Sequence, residues 1–187
     1  VLGYTHPRLL EQKTESPTPS RRARNLFHWK AAKDGMRLLK GDVRAAFIQG
    51  DAMDADDEVF VDPVKEIAQA LDMRPGDVLK LRKAVYGLTT APRKWWLRIC
   101  KDLARLGWKP HRYEPCVWSL RREGRLIGMA LVHVDDFELA MSERYFDESH
   151  QALKEIENLY DFGSWEAESY TNLSLIHISE PTRQKPI

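Results

Sequence analysis

Apolar positions recur along this chain at two periods, and the changes between them mark out its elements. The run SRRARNLFHWKAAKDG predicts a helix with Ser20 as its cap, Gly35 at its end, and Leu26, Phe27, Trp29 and Ala31 as apolar contacts. Residues 36–43 shorten the period to that of a strand, which delivers Asp42. Ala45-Ala46-Phe47 is compact and apolar, Gly50 allows a turn, and residues 54–57 read as an acidic loop. A brief strand at 59–61 stops at Pro63, a short helix fits 64–71, and Arg74-Pro75-Gly76-Asp77 signals a turn. Residues 78–85, VLKLRKAV, alternate apolar and basic and predict a half-buried strand. Thr90 and Pro92 then suit the N-cap and first turn of a helix reaching about residue 106, with Trp96, Ile99, Leu103 and Leu106 as its buried stripe. A hairpin follows over 116–121 and 125–134, a strand over 137–141, and a helix from Ser142 to about residue 160 with Phe146, Leu153 and Ile156 inward.

The chain is organised around LVHVDDFELA at 131–140, where two apolar strands flank Asp135 and Asp136. Two carboxylates at a strand end are costly beside a core unless something positive neutralises them. A divalent cation would do so, and hard oxygen donors favour magnesium or manganese. Asp42, at the end of its own strand, is the candidate third acid. The competing reading of an Asp-Asp turn is a solvated loop.

Composition changes little: 187 residues, 43% hydrophobic and a net charge of +1 suit one soluble domain or two small lobes. Charge distribution adds more. Residues 21–40 and 79–112 are basic, while 51–77 and 135–168 are acidic. Such segregation fits basic surfaces facing a polyanion and an acidic centre for cations, or helix faces that pair with one another in the fold. Cys100 and Cys116 form neither a zinc pattern nor a disulfide framework, so a reducing, intracellular setting is expected. The start is too polar for a secretory signal, and the longest apolar stretch, 126–134, is far short of a membrane span. The chain begins without Met, and a fragment is expected. Residues 169–187 lose all periodicity and read as a disordered, non-native-looking tail, with vector- or adapter-like sequence from Leu173.

Four ordered blocks carry a resemblance: KGDVRAAFIQGD at 40–51, DEVFVDP at 57–63, LKLRKAVYGLTTAPRKWW at 79–96 and LVHVDDFELA at 131–140. GWKPHRYEPCVW at 107–118 and LYDFGSWE at 159–166 support them. Together they resemble the reverse transcriptase of copia-type (Ty1/copia) LTR retrotransposons over roughly residues 1–168. The resemblance implies an α+β polymerase palm, an antiparallel sheet backed by helices, with a partial fingers region and the thumb missing. It implies RNA- and DNA-templated DNA polymerisation on a template-primer with deoxynucleoside triphosphates, in a cytoplasmic particle or the nucleus.

Residue by residue, it makes Asp42 the first polymerase aspartate and Asp135 and Asp136 the aspartate pair. These acids, with the Val43 carbonyl, are implied to hold two Mg2+ or Mn2+ ions. Phe47 matches the aromatic residue under the nucleotide sugar that excludes a 2′-hydroxyl; its other reading is core packing. Tyr86, Gly87 and Pro92 match the segment against the template base and incoming nucleotide. Arg93, Lys94 and Arg98 are candidate phosphate contacts, or else a solvated helix face. His133 stands where the family has Tyr, and Thr90 where it has Gln. Two other classes remain: a catalytically dead retroelement remnant with at most weak nucleic-acid binding, and an unrelated two-metal hydrolase.

Overall fold

The computed structural model describes residues 14–53 and 58–168, so the expected acidic loop at 54–57 and the tail at 169–187 lie outside the described residues. Helix α1 (Arg21–Lys33) begins where Ser20 Oγ accepts a hydrogen bond from the Ala23 amide at 3.1 Å. It ends before Gly35, whose φ of +60° only glycine adopts freely. Strand β1 (Met36–Asp42) follows, then the short α2 (Ala46–Gln49), β2 (Phe60–Val61), α3 (Lys65–Ala70) and β3 (Leu79–Lys80). The long α4 (Ala91–Arg105) leads into β4 (Lys109–Pro110), β5 (Val117–Arg122), β6 (Arg125–His133), β7 (Asp136–Ser142), α5 (Phe146–Glu157) and β8 (Glu166–Glu168).

Six strands form one sheet in the order β4-β5-β6-β7-β1-β8, and every neighbouring pair is antiparallel. The architecture is therefore mixed α and β, with helices on an antiparallel sheet, as expected. Strand alternation divides the core between the two faces. Phe27 and Ala31 of α1 cover Met36, Leu38, Met129, Leu131 and Ala140. On the other face, α4 and α5 bring Trp95, Ile99, Leu103, Leu153 and Ile156 against Leu39, Val132, Phe137, Leu139 and Met141. The β5–β6 turn is Glu123-Gly124, both at positive φ (51° and 78°), which matches the twist of a tight hairpin.

Several local expectations are corrected. Leu26 and Trp29 lie on the exposed side of α1, and Ala23, Phe27 and Ala31 face inward. The expected strand at 78–85 pairs regularly only at Leu79–Lys80, because its partner β2 is two residues long and stops before Pro63. The buried stripe of α4 is Trp95, Ile99, Asp102 and Leu103, while Trp96 is half-buried against Trp118. Thr90 occupies the N-cap position but its side chain makes no capping bond. Ser142 remains in the ladder opposite Met36, so α5 begins only at Phe146. Phe146 is half exposed and stacks on His150 instead of pointing inward.

Much of the basic 21–40 cluster is paired within the protein. Arg24 and His28 both reach Glu138 on β7, at 3.1 and 2.7 Å, and Lys30 and Arg37 reach Asp34 and Glu143. Burial alone would push the Glu138 carboxyl up. The His28 hydrogen bond and the charges of His28, Arg24 and Lys40 outweigh it and hold the group below its usual value. Both cysteines are free, and burial pushes the Cys100 and Cys116 thiols up to about 11 and about 12, which leaves them unreactive near neutral pH.

Candidate active site

The ends of β1, β6 and β7 bring the three aspartates together. The β1–β7 register sets Asp42 directly opposite Asp136, and the Val43 amide donates to the Asp135 carbonyl at 2.9 Å. Directly opposed residues have side chains roughly 5 Å apart, where like charges repel. The repulsion is visible on Asp42, whose carboxyl is pushed above its usual value by desolvation and then by the charges of Asp135 and Asp136, against a lowering by Lys40. Residues 93 positions apart in the chain thus share one electrostatic site.

The turn that carries the pair is strained and braced. His133 pairs with Asp136, so Val134 and Asp135 form a two-residue loop, and Val134 sits at φ +56°. A β-branched residue is disfavoured there, and such strain persists only where neighbours hold it. Two hydrogen bonds do so. Buried Trp95 donates its Nε1–H to the Val134 carbonyl at 2.7 Å, and Val43 holds the Asp135 carbonyl. Trp95→Phe keeps a ring but removes the donor, and should cost about 1–3 kcal/mol for the orphaned carbonyl. Chemical denaturation measures this, and a cost near zero would show that Trp95 does not brace the turn.

The remaining candidates fall at different distances from the acids. Phe47, in α2, is buried in the main core cluster and lies against the Tyr86 ring, centroids 4.5 Å apart at 49°. Tyr86 is half exposed. Its hydroxyl is pushed above its usual value by desolvation and then by the charges of the nearby Asp135 and Asp42. Gly87 turns the chain after it at φ +96°, and Pro92 lies in the first turn of α4. Arg93 reaches the Glu15 carbonyl at 3.4 Å. Arg98 sits otherwise than as a free phosphate contact: its guanidinium is held between Asp51 and buried Asp102.

An open cleft of about 390 Å³ adjoins the acids, lined by Lys40, Gly41, Asp42, Asp136, Gly163, Ser164 and Glu166. Its far wall packs closely on β1: a side chain on Gly41 would stand 2.7 Å from the Trp165 ring. Sequence reasoning missed Lys40, the nearest positive charge, although it precedes Asp42 by two and so shares its face of the strand. It also missed the contacts Tyr86–Asp135 and Trp95–Val134, which no spacing announces.

The donor set suits a hard divalent cation. Asp42 stands opposite Asp136 in the ladder, and the repulsion that raises the Asp42 carboxyl would be relieved by positive charge. Among the described residues, no three His, Cys, Asp or Glu side chains already close into a metal cage. Among the described residues, no helix is long and apolar enough to cross a membrane.

Comparison with known proteins follows the same lines. The family described as reverse transcriptase (RNA-dependent DNA polymerase) matches residues 11–180. The retrovirus-related Pol polyprotein from transposon RE2 of Arabidopsis thaliana is 32% identical over 125 residues, 60% of this chain and 8% of that protein. The corresponding polyprotein from transposon RE1 of the same plant is 38% identical over 95 residues, 51% of this chain and 6% of that protein. That from transposon TNT 1-94 of Nicotiana tabacum is 30% identical over 108 residues, 57% of this chain and 8% of that protein. The chain thus spans under a tenth of the length of these relatives. No solved structure gives a significant match. With a family match over most of its length and retrotransposon polyproteins as its relatives, this chain belongs to the reverse transcriptase family, in its copia-type branch, whose activity is RNA-directed DNA polymerisation.

Proposed function

We propose that this chain is the palm and part of the fingers of a reverse transcriptase, and that its aspartate cluster is the polymerase centre. The observation that carries the reading is the convergence of Asp42, Asp135 and Asp136 at one end of the sheet. Asp42, Asp135 and the Val43 carbonyl would hold two Mg2+ or Mn2+ ions, with Asp136 less directly engaged. Bound there, the ions supply neutralisation of triphosphate charge and a more acidic primer 3′-hydroxyl. The reaction is phosphoryl transfer: the primer 3′-oxygen attacks the α-phosphorus of a deoxynucleotide and pyrophosphate leaves.

The protein's own part is positioning. Trp95 and Val43 fix the turn bearing Asp135. Tyr86 stands beside Asp135, and the Phe47–Tyr86 pair would form the wall against which the nucleotide sugar lies. Arg93 and Lys94, in the first turns of α4, would meet phosphates of the template-primer. Arg98, engaged by two carboxylates, would instead hold α4 in place.

The test is Asp42→Asn in a chain extended into its flanking polymerase sequence, assayed for extension of a primer on RNA and DNA templates beside a nuclease assay. Extension should fall by 10³-fold or more, on the order of the loss expected when charge stabilisation in the transition state is removed. Undiminished extension, or nuclease activity that depends on Asp42, would overturn the reading. Absence of extension in the parent chain itself would favour a dead remnant.

A further inference from the structure

The loop between β4 and β5 presents an aromatic ring to solvent beside positive charge. Tyr113 is 80% exposed. The Arg112 guanidinium lies over its ring, 5.4 Å from the centroid, and the His111 ring is 6.1 Å away. Lys109, Pro110, His111 and Arg112 are all exposed as well. The acid of the segment, Glu114, accepts a hydrogen bond from Ser20 Oγ at 2.7 Å and leaves the basic groups as the loop's outward charge.

The loop that carries this ring is braced by its own hydrogen bonds. The His111 amide donates to the Val117 carbonyl at 2.7 Å, the Val117 amide to the Glu114 carbonyl at 3.0 Å, and the Tyr113 amide to His111 Nδ1 at 3.3 Å. A solvated aromatic side chain on a braced loop, with a cation over one face, offers the other face to a second flat group.

The loop also stands at the aspartate end of the sheet. Val117 opens β5 opposite Leu131 of β6, and β6 continues two residues further to His133 and the turn that carries Asp135. At about 4.8 Å per strand, the loop is on the order of 10 Å from that turn across the sheet. Segment 14–20 links it to α4: Glu15 meets Arg93 and Ser20 meets Glu114. Segment 14–20 thus connects the first turn of α4 to the β4–β5 loop.

We propose that the β4–β5 loop is a stacking platform for single-stranded nucleic acid beside the aspartate cluster, with Tyr113 taking a base and Arg112 and Lys109 the adjoining phosphates. A protein-docking surface would surround the ring with apolar side chains, whereas interleaved aromatic and basic residues match the base and phosphate of an unpaired strand. The proposal rests on the polymerase reading for its partner, but it concerns binding away from the acids.

The test is fluorescence anisotropy of the 187-residue chain with labelled single-stranded RNA and DNA oligonucleotides over a salt series. Tyr113→Ala should weaken binding about tenfold or more, the range of one lost base stack, without moving the melting temperature, since the ring is exposed. Tyr113→Trp should restore it. Arg112→Ala should weaken binding and reduce the salt slope by about one. Parental affinity in Tyr113→Ala, or equal weakness in Tyr113→Trp, overturns the platform. Either result leaves the polymerase reading intact, because that reading is decided by primer extension in Asp42→Asn.

Discussion

Asp102→Ala should destabilise this protein by about 3–5 kcal/mol, the cost of stranding partners around a buried charge. Asp102 is 3% exposed on the inward stripe of α4. It accepts hydrogen bonds from Arg98 Nε and from the Tyr160 hydroxyl at 2.9 Å, and Arg105 lies at 3.6 Å. The Arg98 guanidinium is held above its usual value chiefly by the bond to Asp102. Burial pushes the Tyr160 hydroxyl up as well, and its bond to Asp102 adds to the shift.

Removing the carboxylate would leave the buried Tyr160 phenol without its acceptor and the partly buried Arg98 guanidinium with Asp51 alone. The effect should travel to the acids. Tyr160 packs on Trp95, centroids 4.8 Å apart, and on Phe162, which bridges to Val43. Urea denaturation gives the stability loss. A loss below about 1 kcal/mol would mean that the network contributes no more than one ordinary hydrogen bond. Pairing Asp102→Leu with Arg98→Met should recover much of the loss, because an apolar replacement of both partners removes the stranded charge.

Phe47→Ala should cost about 3–5 kcal/mol, the usual range for deleting a buried Phe. Only 6% of Phe47 is exposed, and it belongs to the main core cluster together with Val43, Ala46 and Trp95. The core-packing reading of this residue therefore has direct support from its burial. The sugar-gate reading makes a separate demand. With flanking polymerase sequence restored, Phe47→Ala should also admit ribonucleotides, since the wall it forms with Tyr86 loses its ring. Melting temperature and incorporation of both nucleotide types decide between the two. A large drop in melting temperature with unchanged discrimination would make Phe47 a packing residue alone.

Legibility differed sharply between kinds of feature. The ends of α1 could be read from Ser20 and Gly35, because capping and positive φ are properties of a few adjacent residues. The strands around Asp135 and the candidate triad could be read as well, since the motif blocks stand in one order with characteristic offsets. Reading failed where one face of an element had to be chosen. Trp95 and Trp96 are neighbours with equal apolar weight, and only the position of the Val134 carbonyl decides that Trp95 goes inward. Phe146 fits a helical stripe, yet Ser142 is claimed by the β1–β7 ladder, which delays the helix and turns that ring outward.

Charge was the least legible property. Arg98 and the basic residues of α1 look alike in sequence to residues that meet a polyanion. In the fold, Arg98 is claimed by Asp51 and Asp102, and Arg24 by Glu138 114 positions away. Local sequence determined most of the elements, the ends of α1 and which three acids are candidates, because these depend on short-range geometry and residue chemistry. Tertiary structure alone decided which charges remain outward, which ring braces the Asp135 turn, and that Lys40 and Tyr86 stand beside the acids. Those outcomes depend on distances between strands and helices that are far apart along the chain.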